Sequence, residues 1–194
     1  LSVLKSENDP LKKVDILNHL FLIYEFSDTL KARKYVENAY KLSVKADYYS
    51  GQINSLINLG YYSEDQSSYL QAIKNYNSAL NLAKKNNDKK YIAASYKNLG
   101  NVHLRQGKYP EAISFYQKSL RLADEIDDKY MQANCLANIG SVYLYQDNLE
   151  KAIENYSNSI IFYEELGDIK RASNCLNNLG LAYKMNQEFD KAIE

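Results

Sequence analysis

The chain has 194 residues, 45% of them hydrophobic and 25% charged, which is enough apolar material for a packed core and too much for a disordered segment. Lys plus Arg equals Asp plus Glu at 24 each, so the net charge offers no pull toward nucleic acid or an anionic membrane surface. No apolar run approaches the roughly 18 residues of a membrane span, and a start at Leu1 without Met or a signal segment reads as a fragment of a longer protein.

The predicted elements fall into units of about 12–48, 49–88, 89–128, 129–168 and an incomplete 169–194, which together make residues 1–194 one array. The first is irregular. Leu17, Leu20 and Tyr24 have helical spacing, Phe21 stands where later units carry glycine, and Ala32 arrives one residue early. The second carries Leu56, Leu59 and Gly60, then Ala72, Tyr76 and Ala79. In the third, Asp88 is the predicted N-cap, and Ala93, Tyr96, Leu99, Gly100 and His103 follow at steps of three and four. Gln106-Gly107-Lys108 breaks the pattern as a turn. Tyr109, Ala112, Ile113, Tyr116, Leu120 and Ala123 restart it, with Pro110 in a first turn where its missing N–H costs nothing. The fourth repeats the set as Leu136, Ile139, Gly140 and Tyr143, then Ala152, Tyr156 and Ser159, and Asp128 and Asp168 recur at the capping place. The fifth has Leu176, Leu179, Gly180, Tyr183 and Ala192 and stops inside its second helix. Each unit is therefore predicted to be a hairpin of two antiparallel helices, and no stretch alternates like a strand.

Asn58-Leu59-Gly60, Asn98-Leu99-Gly100, Asn138-Ile139-Gly140 and Asn178-Leu179-Gly180 recur every forty residues without drift, the mark of stacked identical blocks. A mid-helix glycine costs about 1 kcal/mol against alanine. Twelve residues after each comes an alanine, Ala72, Ala112, Ala152 or Ala192, so the expectation is that glycine faces alanine and lets the two helices close up. Cys135 and Cys175 hold equivalent positions one period apart, beyond disulfide reach, and read as small buried thiols.

These letters resemble the tetratricopeptide repeat, whose first helix carries a large residue, Leu-Gly and an aromatic, and whose second carries Ala, an aromatic and Ala. The resemblance spans roughly residues 12 to 194. It implies an all-α, right-handed α-α superhelical solenoid of antiparallel helix hairpins. Two departures stand out. Lys84, Asp124 and Glu164 replace the family's closing proline, and the period is forty against about thirty-four in the common form. Both point to longer helices, similar to the long-repeat forms of kinesin light chains, spindle-orientation adaptors and bacterial peptide-sensing regulators.

In such repeats the first helices line a concave groove. The positions six and two before each glycine and one after it face that groove: Asn54, Asn58 and Tyr61; Ala94, Asn98 and Asn101; Asn134, Asn138 and Ser141; Asn174, Asn178 and Leu181. The first unit contributes Asp15, His19 and Leu22, with His19 in an asparagine's place. The resemblance assigns ligand contact to Asn58, Asn98, Asn138 and Asn178. A row of primary amides carries donors and acceptors for the backbone of an extended peptide. The alternative is that these asparagines bond one another and keep the stack in register. Chaperone-adaptor repeats grip a terminal carboxylate with Lys and Asn residues, and Lys97, Asn101 and Asn138 match that pattern. Asn174 and Asn178 stand where its last two cations belong, so the full clamp is not expected.

Catalytic chemistry is not expected. His103 stands where other units carry Tyr143 and Tyr183, and neither histidine has triad partners in the pattern. Two Cys without neighbouring His make no zinc site, no phosphate-binding glycine loop exists, and many of the 19 tyrosines fall on core positions. No cofactor or metal is expected, nor contact with nucleic acid or membrane by this fragment. The reading is a non-enzymatic peptide- or protein-binding module, the sensor or scaffold part of a larger signalling protein; a structural or dimerisation array that positions neighbouring domains is the alternative. Leu176, Leu179 and Tyr183 lose their covering helix at the truncated end, which opens a route to self-association. Cytoplasm and periplasm both remain open.

Overall fold

A computed structural model describes residues 7–188 and 191–192. Among these the elements are α1 (Pro10–Tyr24), α2 (Thr29–Lys45), α3 (Tyr49–Asp65), α4 (Tyr69–Lys85), α5 (Lys89–Arg105), α6 (Tyr109–Glu125), α7 (Lys129–Tyr145), α8 (Leu149–Glu165) and α9 (Ile169–Met185). The described residues hold no strand. The chain divides into two compact units, Leu1–Ser95 and Tyr96–Glu194, with the division inside α5. Within each unit, helices pack against their neighbours and next neighbours along the chain.

The connections explain the regularity. From α2 on, every described helix is 17 residues long. Each is closed by a residue of positive φ: Asp47, Ser67, Asn87, Gly107, Asp127, Asp147, Gly167 and Gln187, one every twenty residues. The next residue's N–H returns to a carbonyl five back, as from Tyr48 to Ser43 (2.9 Å), Asp128 to Ala123 (2.9 Å) and Asp168 to Tyr163 (2.9 Å). This pattern of bonds across a left-handed residue satisfies carbonyls that a helix end would otherwise orphan. The residue that completes one helix end then caps the next. Asp88, Asp128, Asn148 and Asp168 accept the N–H three residues on, at 3.2, 2.9, 3.4 and 3.1 Å. One residue thus serves two helices, its backbone N–H closing the first and its side chain capping the second.

What lies nearest to three of the four glycines is an aromatic ring, ahead of the alanine that was expected. A Cβ at Gly60 would lie 2.2 Å from the Tyr76 ring, one at Gly100 2.6 Å from Tyr116, and one at Gly140 3.1 Å from Tyr156. The missing side chain makes room for an aromatic ring from the second helix, sixteen residues on, and that ring is buried in all three hairpins. At Gly180 the Cβ position lies 3.5 Å from the Ala192 carbonyl oxygen. Ala72, Ala112 and Ala152 are fully buried.

The first hairpin reverses the arrangement. Phe21 of α1 packs with Ala32 and with Val36 of α2, the large side chain now on the first helix and the small one on the second. Its capping residues Asp9 and Asp28 are nineteen apart where Tyr48 and Ser68 are twenty, which accounts for the early Ala32. In the first unit the core also includes Val14, Leu17 and Ala39, then Ile53, Leu56, Ala79 and Ala83. The second unit's core gathers around Tyr116 with Ile139 and Val142, and around Tyr156 with Ile160, Tyr163 and Cys175.

Candidate functional site

In the first unit, α1 and α3 form a cleft of about 350 Å³ lined by Asp15, Asn18, His19, Leu22, Asn54, Ile57 and Asn58. The lining residues recur at steps of three and four on both helices, so each helix presents one continuous stripe. Asp15, His19, Leu22, Asn54 and Asn58 were expected on this face, and the fold brings them together. Tyr61 is not among them. It sits half-buried and edge-on to Tyr76, ring centroids 6.0 Å apart.

Asn18 is the residue that sequence reasoning missed here. It lies forty residues before Asn58, a signal obscured because α1 is otherwise in step at thirty-nine. It is 6% exposed, and its Oδ1 accepts from Ser55 Oγ and from Asn58 Nδ2, both at 3.1 Å. Its own Nδ2 is buried without a partner. Tyr48 Oη donates to the Asp15 carboxylate at 3.2 Å. The exposed His19 ring lies 3.0 Å through Nδ1 from the Asp15 carbonyl oxygen. Asn54 meets the Tyr91 hydroxyl, whose pKa burial raises while Asn54 pulls it back.

A larger cleft of about 520 Å³ in the same unit is lined by α2, α3 and α4. Its charges and amides are internally matched: Arg33 pairs with Glu37 at 2.7 Å, and Gln71, Asn75 and Ser63 form a hydrogen-bonded chain. With no orphaned group, it is the weaker candidate.

The second unit sorts the remaining asparagines into distinct roles. Asn98 is 1% exposed and has partners within the protein, so its side chain does not line an open face. Asn101 Oδ1 accepts from the buried Tyr116 hydroxyl at 2.9 Å and from Asn138 Nδ2 at 3.3 Å, which ties α5 to α7. Ser141 does the same service for Tyr156, accepting its hydroxyl at 2.9 Å. The positions after Gly100 and Gly140 therefore satisfy the rings that those glycines admit, where ligand contact was expected. Asn134 is half-buried and donates to the Tyr130 carbonyl at 2.8 Å, leaving its own Oδ1 available. Asn174 is exposed and Asn178 half-exposed. Neither makes a hydrogen bond among the described residues.

Lys97 is half-buried and acts electrostatically on Cys135. Cys135 is free and buried; burial pushes its thiol up to about 11, with Ser119 Oγ 3.2 Å away. Cys175 is likewise free, buried and raised. Thiols held protonated in this way are poor nucleophiles. His103 stacks on Phe115 with centroids 5.1 Å apart, and burial followed by Lys108 lowers its pKa. No group of three His, Cys, Asp or Glu among the described residues could hold a metal ion. No helix among them is long and apolar enough to cross a membrane.

Paired helices of constant length, a glycine admitting an aromatic ring, and a polar stripe on the first helix of each pair define a helical-repeat protein. The chain belongs to the tetratricopeptide repeat family, whose model matches residues 53–125, 91–157 and 132–194. No curated protein matches the sequence. Among solved structures, the fold is similar to BtubC (BKLC) from P. vanneervenii, with a TM-score of 0.80 at 18% identity over 94% of this chain and 76% of that one. It is also similar to PH0952 from Pyrococcus horikoshii, a signal transduction ATPase with numerous domains and a tetratricopeptide repeat sensor. That match has a TM-score of 0.77 at 20% identity and covers 94% of this chain but 29% of the other. A Rap protein complexed with competence and sporulation factor matches with a TM-score of 0.77 at 17% identity, over 98% of this chain and 63% of that one.

Proposed function

We propose that this chain is a peptide-binding interaction module, taking an extended protein segment along the polar stripes of its first helices, within a larger signalling protein. The observation that carries this reading is the unused amide capacity of Asn134, Asn174 and Asn178, which occupy repeating positions on α7 and α9. Asparagine is a mediocre helix former, and amides left unpaired by the protein are suited to a backbone that needs both donors and acceptors. The similar folds support it: the Rap structure is a complex with competence and sporulation factor, and the repeat region of PH0952 is a sensor.

Selection of random twelve-residue peptides against the whole protein tests it. Enriched peptides should lose about tenfold in affinity when Asn134→Ala and Asn178→Ala are combined, as expected for about 1.4 kcal/mol of lost hydrogen bonding. Helicity should be unchanged, since alanine is the better helix former. A second reading, a dimerising structural array, is favoured by the apolar exposure of α9, where Ile169 is 78% exposed and Leu176 and Leu181 about half. It prevails if no peptide is enriched and the protein dimerises until Leu176→Lys and Leu181→Lys abolish the dimer.

A further inference from the structure

We propose that the α1–α3 cleft of the first unit selects a peptide segment carrying a basic side chain and, about three residues away, an aliphatic one, with Asn18 taking a backbone carbonyl oxygen between them. This deepens the peptide-binding reading above and rests on it.

Three groups in the cleft have unfilled requirements, each of a different kind. The first is Asn18 Nδ2, a buried amide donor without an acceptor. Ser55 Oγ and Asn58 Nδ2 both lie 3.1 Å from the other end of the same amide, its oxygen. Buried donors in native proteins are nearly all paired, so one left over at the wall of a cleft marks a place for an acceptor. The second is the Asp15 carboxylate. Tyr48 Oη orients it, at 3.2 and 3.4 Å from its two oxygens, and it makes no ion pair among the described residues. Asp15 and His19 also border a neighbouring cleft that Lys12 and Glu7 line, but no Lys or Arg lines this one. The third is an apolar wall of Leu22, 48% exposed, and the half-buried Ile57.

Their order along α1 turns these needs into a spacing. Asp15, Asn18 and Leu22 follow one another at about one helical turn each, so Asp15 and Leu22 stand roughly 10 Å apart along the axis. An extended peptide covers that distance in about three residues at roughly 3.3 Å each. Lying along α1, it would place a cation against Asp15, a carbonyl oxygen against Asn18 and an aliphatic side chain against Leu22 and Ile57. A volume of about 350 Å³ falls within the roughly 300–1,000 Å³ typical of binding clefts. An acidic segment is excluded by the same carboxylate. A neutral one leaves it unpaired.

The test uses the twelve-residue peptide selection on the whole protein, then two synthetic peptides: the enriched consensus, and the same peptide with its basic residue replaced by norleucine. The consensus should contain Lys or Arg about three positions from Leu, Ile or Val. Asp15→Asn should weaken it about tenfold and leave the norleucine peptide unchanged, and the Asn18 side-chain amide resonance should shift on titration. Asp15 is half-exposed and asparagine keeps an oxygen for Tyr48, so the variant should fold; Leu22→Lys, at an exposed site, should weaken the consensus independently. If Asp15→Asn and Leu22→Lys both leave affinity within twofold while Asn134→Ala with Asn178→Ala still weakens it, this inference is overturned and peptide binding stands. Acidic consensus peptides, or an unmoved Asn18 amide, also overturn it. If no peptide is enriched at all, the peptide-binding reading fails, and this one with it.

Discussion

A tyrosine ring fills the space that Gly60, Gly100 and Gly140 vacate, and the residue after the glycine bonds its hydroxyl in two of these three hairpins. The third uses a buried Glu64 instead, which accepts from Tyr76. Burying a tyrosine is favourable only if its hydroxyl finds a partner, so glycine, ring and acceptor form one linked choice. The first hairpin solves the same volume problem with Phe21 and Val36. That reversal makes a prediction: Gly100→Phe alone should cost about 1–3 kcal/mol by overpacking, and Tyr116→Val alone about 2–4 kcal/mol through the cavity it leaves. Combined, they should cost at least about 1 kcal/mol less than their sum, because one change fills the space the other empties. Asn101 keeps Asn138 as a partner in the double variant. Denaturant melts of the four proteins measure this, and strictly additive costs would refute the shared-volume account.

At the scale of elements, the helices are held to a common length by their ends. Every connection after α2 passes through a left-handed residue, yet only Gly107 and Gly167 adopt that conformation without a steric penalty. Asn and Asp tolerate it through local hydrogen bonding, whereas Ser67 (φ 55°) and Gln187 (φ 62°) carry more of the cost. Ser67→Gly should therefore raise stability by about 0.5–1 kcal/mol, the relief of strain outweighing the added freedom of the unfolded chain. Asp127→Gly should gain less. Chemical denaturation of both variants decides the matter; a loss of stability at Ser67 would mean that the serine is needed for something other than its backbone.

For the whole molecule, contacts between described helices within each unit run between neighbours and next neighbours along the chain. Stability in such repeats is close to a sum of local and nearest-neighbour terms, so opening should begin at the ends. Hydrogen exchange should find the amides around Leu99 and Ile139 slowest, and those of α1 and α9 fastest. Equal protection from Leu17 to Leu179 would indicate one global unfolding event and contradict the local account.

The forty-residue period, the two helices per period, the caps at Asp88, Asp128 and Asp168 and the shortened first unit were all legible in the letters. Each depends on interactions within about four residues of chain, where spacing and geometry are tied together by the helix itself. What lies across from a side chain is a different matter. Glycine was matched to the alanine twelve residues on, but the rotation of the second helix turns the tyrosine sixteen residues on into that space. Asn98, Asn138 and Asn178 hold one repeat position, yet the first is sealed in the protein, the second bonds Asn101, and the third makes no hydrogen bond among the described residues. Asn18 was overlooked for the same reason: its role is set by Ser55 and Asn58 on another helix. The sequence determined which face of each helix is polar; only the tertiary structure decided which of those polar groups the protein uses up itself, because that depends on the side chains a neighbouring helix brings within about 3 Å.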